Sequence, residues 1–161
     1  MKFNFFKKTK DLHIFVPVNG EIIPIEEVPD PVFNQKMMGV GAAVVPDHGD
    51  IVAPVDGTII QVAPTKHAVG ILAEDGTEIL IHVGLDTVAL NGEGFQTAVK
   101  EGDKVAVGQT LLKVNWDFLK EHVPSIITPI VITNSQDSGK KYSFATDQNG
   151  IAGKTVMITV Q

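Results

Sequence analysis

The chain has 161 residues, 43% of them hydrophobic, with 13 Lys and Arg against 19 Asp and Glu for a net charge of -6, and no cysteine. That length suits one domain with its own core, and a disulfide-stapled scaffold is excluded. The acidic balance works against attraction to phosphate backbones, so nucleic acid is not an expected partner, and no window reaches the ~20 apolar residues of a spanning helix.

Residues 1–13 read as a flexible basic segment, with Lys2, Lys7, Lys8 and Lys10 around Phe3, Phe5 and Phe6. The apolar stretch of a signal peptide is missing, which favours a cytoplasmic protein. A basic, Phe-containing start allows at most peripheral contact with an anionic membrane; the alternative is a frayed terminus. Residues 14–161 read as a single domain. Apolar runs of four to seven residues recur at 14–18, 51–55, 58–62, 69–73, 78–83, 110–114, 126–133 and 155–160, cut by Gly, Pro, Asn and Asp. This is the pattern of an all-β antiparallel sandwich or barrel. The Asp56-Gly57 and Asp75-Gly76 pairs predict tight reversals between the strands that flank them. Helix is expected only as short pieces at 31–38, 94–100 and 117–122, the last capped by Asp117 and stopped by Pro124. Residues 136–141 read as a loop. Segments 48–59 and 101–111 each set a Gly-Asp turn before an apolar stretch and a later glycine. That likeness suggests a weak internal duplication.

One imidazole interrupts the strand pattern. His82 lies in the run Gly76-Thr77-Glu78-Ile79-Leu80-Ile81-His82-Val83-Gly84-Leu85-Asp86-Thr87-Val88. Histidine is partly neutral near pH 7 and can act as a nucleophile, and a strand holds it rigidly. Gly84 leaves the ring unshaded, and its carbonyl could fix the tautomer. Pairing through Asp75-Gly76 sets His67 opposite Gly84 and diagonal to His82, within side-chain reach. A second imidazole there could stabilise charge on a transferring group, with Thr65 orienting it. On spacing alone, His82 also reads as a structural histidine and His67 as a turn histidine.

The run Gly76-x-x-Ile79-Leu80-x-His82-Val83-Gly84-Leu85-x-Thr87-Val88 resembles the active-site signature of the glucose-type enzyme IIA component of the bacterial phosphoenolpyruvate-dependent sugar phosphotransferase system. Further blocks follow in family order. These are Val28-Pro29-Asp30-Pro31-Val32-Phe33, Lys36-Met37-Met38-Gly39, Val52-Ala53-Pro54-Val55-Asp56-Gly57, Thr65-Lys66-His67-Ala68, Leu90-Asn91-Gly92-Glu93-Gly94-Phe95 and Thr128-Pro129-Ile130-Val131. The resemblance covers roughly residues 14–160.

It implies an antiparallel β-sandwich of duplicated hybrid type. It also implies that His82 takes a phosphoryl group from phospho-HPr on Nε2 and passes it to the IIB domain of a sugar permease. His67 then matches an accessory histidine needed for onward transfer, and Thr65 the residue supporting it. No cofactor or metal is implied beyond the transient phosphoryl group. Val32, Phe33, Met37, Met38 and Leu80 would form an exposed apolar docking face, the methionines adapting to two partners. Asp30 and Asp86 would meet basic residues of HPr. Regulatory protein targets are a further implication. The sugar stays open, because such domains do not touch it; Met1 and the basic start favour an independent chain over part of a permease.

Two other readings compete. His82-x-x-x-Asp86 resembles half of the zinc site of hybrid-fold peptidases, but the His-x-His pair of those enzymes is absent. A lipoyl- or biotinyl-type carrier needs a hairpin-tip lysine, and the flanks of Lys66, the one candidate, do not match.

Overall fold

The computed structural model describes residues 10–161; Lys2, Phe3, Phe5, Phe6, Lys7 and Lys8 of the basic segment lie outside the described residues. The strands are β1 (Leu12–Phe15), β2 (Asn19–Pro24), β3 (Val40–His48), β4 (Ile51–Val52), β5 (Gly57–Val62), β6 (Ala68–Ala73), β7 (Glu78–His82), β8 (Phe95–Thr97), β9 (Lys104–Val105), β10 (Thr110–Val114), β11 (Thr128–Ile132), β12 (Tyr142–Phe144), β13 (Gln148–Gly150) and β14 (Val156–Val160). Two short helices, α1 (Pro31–Asn34) and α2 (Trp116–His122), complete the set. Leu12 and His13 already pair with Val160 and Thr159, so ordered structure starts ahead of the boundary expected at residue 14.

Eight strands form the main sheet in the order β13-β2-β3-β11-β7-β6-β5-β9, and two three-stranded sheets, β1-β14-β12 and β4-β10-β8, face it. All pairings are antiparallel, and the main sheet stays open at β13 and β9. The fold is a sandwich, not a closed barrel. Alternation along each strand decides which face a side chain takes. Ile22, Val44, Ile130, Ile81, Val69 and Ile59 point inward, where they meet Ile14, Ile51, Leu111, Leu112, Leu119, Met157 and Ile158. Each such fully buried side chain contributes roughly 1.5–3 kcal/mol.

The outer face of the main sheet carries a second, smaller cluster. Ile23, Ala43, Val131 and partly buried Leu80 are covered there by Ile25, Val28 and Phe33 from the segment around α1, and by Leu85. His82 follows Leu80 on this outer face and sits where that cover ends. The reactive candidate therefore lies at an edge between a packed patch and open sheet.

The 73–77 reversal forms as expected: Gly76 N donates to the Ala73 carbonyl at 3.0 Å, and Asp75 Oδ1 accepts from Thr77 N at 2.9 Å. Asp56-Gly57 does not. β4 pairs with β10 and β5 with β6 and β9, because the Asp56 carboxylate accepts from Val107 N at 2.9 Å and leads the chain into a crossing between sheets. Residues 94–100, expected helical, instead contain β8, which pairs with β10. The cap of α2 is Asn115, whose side chain accepts from Phe118 N at 3.0 Å; Asp117 lies inside the first turn.

The two similar segments embrace each other. Val52 pairs with Thr110, and Gly57 pairs with Val105. Aligned on their Gly-Asp steps, Val52 corresponds to Val105 and Gly57 to Thr110. Each half thus offers the same two positions to the other, an approximate twofold arrangement that fits the suspected duplication.

Candidate active site

His82 is the last residue of β7, and the strand does not continue through Gly84 as the sequence reading assumed. Gly84 has φ of +74°, and a Cβ there would stand 2.7 Å from Thr87 Cγ2. Only glycine fits this left-handed turn. The turn swings the Gly84 carbonyl back to the ring, 2.9 Å from His82 Nδ1. A carbonyl only accepts, so Nδ1 carries the proton and Nε2 keeps its lone pair. Thr87, a residue the sequence reading did not single out, closes the same turn from a buried position, its hydroxyl donating to the Val83 carbonyl at 2.7 Å. The Asp-Thr step after a glycine was its only signal.

β6 and β7 pair Ala68 with His82, and Val83 N donates to the His67 carbonyl at 2.8 Å. His67 thus opposes Val83 rather than Gly84, one residue off the expected register. The two rings still meet. Their centroids are 4.8 Å apart at 79°, edge to face. His67 stands in the β5–β6 connection, where Lys66 N donates to the Ala63 carbonyl at 2.7 Å and Lys66 adopts φ of 63°. That tight turn sets Thr65 Oγ1 2.7 Å from His67 Nδ1.

The environment keeps both rings neutral. Burial, helped by the neighbouring His82, pushes the His67 pKa down to about 4. Burial also lowers that of His82, against the Gly84 carbonyl and the carboxylates of Asp30 and Asp86, which favour its cation. Asp30 caps α1, its side chain accepting from Val32 N at 3.0 Å. Asp86 is exposed, with φ of 59°, at the start of a 3-10 turn Thr87–Leu90.

The expected apolar docking face divides. Val32 is 39% and Met37 69% exposed, whereas Phe33 is only 3% exposed. Phe33 is corrected from docking residue to wall: its ring lies 5.0 Å from the His82 ring, tilted by 59°. The first turn of α1 turns it inward onto the smaller cluster, which also takes the partly buried Met38 and Leu80. Val88, at 55% exposure, adds an apolar side chain the sequence reading passed over. Among the described residues no group of three or more His, Asp or Glu side chains converges as a metal site, and no helix is long and apolar enough to cross a membrane.

Residues 12–138 match the family model described as phosphoenolpyruvate-dependent sugar phosphotransferase system, EIIA 1. Among solved structures, the glucose permease IIA from Mycoplasma capricolum is similar at 38% sequence identity and a TM-score of 0.86, over 94% of this chain and 96% of that one.

Proposed function

The chain belongs to the EIIA 1 family of the phosphoenolpyruvate-dependent sugar phosphotransferase system, and from that premise we propose that it carries a phosphoryl group on His82 between HPr and the IIB domain of a sugar permease. The observation that carries the reading is the bond from His82 Nδ1–H to the Gly84 carbonyl. It leaves Nε2 as the one nucleophilic nitrogen.

In the first step the Nε2 lone pair attacks phosphorus of phospho-HPr, the donor's N–P bond breaks, and that electron pair returns to the donor ring. As the new N–P bond forms, positive charge grows on the His82 ring. The Gly84 carbonyl and the Asp30 and Asp86 carboxylates favour that charge. Thr65 donates to His67 Nδ1, so His67 presents Nε2–H to a phosphoryl oxygen and steadies the group during onward transfer to IIB. Both partners bring phosphoresidues of similar transfer potential, so little more than positioning and charge screening is asked of this protein. No metal or cofactor enters these steps. Exposed Val32, Met37 and Val88, with Met38 and Leu80 behind them, would meet the partners, Asp30 and Asp86 meeting basic residues. We place the chain in the cytoplasm, where such donors and acceptors work.

The test is to incubate the protein with labelled phosphoenolpyruvate, enzyme I and HPr, and then to add IIB and sugar. One acid-labile phosphoryl group per chain that discharges onto IIB is expected; a chain that stays unlabelled would overturn the proposal.

A further inference from the structure

Fourteen of the fifteen glycines are demanded by the fold: each has a positive φ or a Cβ position closer than 3.4 Å to a neighbour. Gly70 is the exception. It sits mid-strand in β6 with ordinary extended backbone, and the nearest atoms to an added Cβ are Gln61 Cβ at 3.4 Å and Ile60 Cγ1 at 3.5 Å, ordinary contacts. Glycine weakens a strand interior, so one that packing does not require points to something approaching from outside.

Gly70 lies on the outer face, with its Cα partner Leu80 on β7 and Gln61 on β5. A bulge between Ile59 and Gln61 brings Ile60 over it. Ile60 is 39% and Leu72, two residues along β6, 36% exposed. The bare backbone of Gly70 is thus the floor of a notch walled by Ile60, Leu72 and Leu80. His82 and its partner Ala68 are the next outward-facing positions on the same two strands. A standard interface covers about 800 Å² per partner, a disc roughly 16 Å in radius. A protein seated on His82 therefore covers the notch as well. Glu78, opposite Leu72, and Asp30 and Asp86, acting on His82, put carboxylates around this surface.

We propose that the Gly70 notch receives one protruding apolar side chain, ringed by basic residues, from the phosphoryl-donor protein. The inference rests on the phosphocarrier reading above. It makes Gly70, Ile60 and Leu72 determinants of donor recognition that lie outside the histidine pair.

Gly70→Ala and Gly70→Leu fill the notch by degrees. The methyl meets no hard contact in the folded chain, and replacing glycine in a strand favours the folded state. We expect Gly70→Ala to keep or raise the Tm and to leave the His82 ring NMR signals in place. The KM for phospho-HPr should rise several-fold for Gly70→Ala and about tenfold or more for Gly70→Leu, with kcat little changed. Ile60→Ser with Leu72→Ser should raise the same KM. An unaltered KM in Gly70→Leu overturns the proposal, as does a change confined to transfer onto IIB, which would make the acceptor the occupant. A wild-type chain that phospho-HPr does not label refutes the phosphocarrier reading itself, a result separable from either.

Discussion

The imidazoles of His67 and His82 stand edge to face, with ring centroids 4.8 Å apart, on adjacent strands that pair Ala68 with His82. Two roles can be separated in such a pair, because the carbonyl of Gly84 fixes His82 and the hydroxyl of Thr65 faces His67. In His67→Gln, labelling from phospho-HPr should survive, whereas transfer onto IIB should fall about a hundredfold or more, the usual scale for losing a proton-donating partner. Normal sugar phosphorylation by this variant would remove His67 from the mechanism.

The same pair sets a pH dependence of stability. The folded pKa of His67, about 4, lies below the ordinary 6.5, so its neutral form is the one the fold favours. Its contribution is complete above pH 6.5 and is lost as pH falls from 6.5 to about 4, on the order of 3 kcal/mol. The depressed pKa of His82 acts in the same direction. Urea denaturation across this range should show the loss in the wild type and a shallower one in His67→Gln; equal slopes would contradict the assignment.

Gly84→Ala attacks the turn that holds His82 Nδ1. A side chain at φ of +74°, with Cβ 2.7 Å from Thr87 Cγ2, should cost about 1–3 kcal/mol. Labelling should slow in parallel, because the carbonyl no longer fixes the tautomer. A Tm and labelling rate equal to those of the wild type would show that the turn tolerates a side chain.

Phe33→Ala removes a wall of the His82 ring. At 3% exposure in the smaller cluster, Phe33 should be worth about 3–5 kcal/mol. Burial is the largest cause of the lowered His82 pKa, so an NMR titration of the variant should show it rising toward 6.5. An unmoved titration would mean that Phe33 does not shield the ring.

Local chemistry made much of this legible in the sequence. The Asp75-Gly76 pair and the two apolar runs beside it identify one hairpin, and hence the meeting of His67 and His82. The register was off by one residue, because the strand ends at His82 and a left-handed Gly84 cannot be told from a strand glycine by its neighbours. Asp56-Gly57 carries the same dipeptide as Asp75-Gly76, yet its carboxylate is engaged by Val107 across the chain, a contact no local window contains. Phe33 was misplaced for a related reason. A phenylalanine in a short helix on an outer sheet face reads as exposed until the second cluster beneath it is seen. The notch at Gly70 was invisible, since only the packing of all fifteen glycines shows which one is not needed.

The central claim is that Nε2 of His82 carries the phosphoryl group, and NMR of ring-labelled protein phosphorylated through enzyme I and HPr tests it most directly. The account predicts a phosphorus coupling at Nε2 of His82, Nδ1 still protonated toward Gly84, and no signal in His82→Gln. Phosphorus on Nδ1, on His67, or on the His82→Gln variant would contradict it.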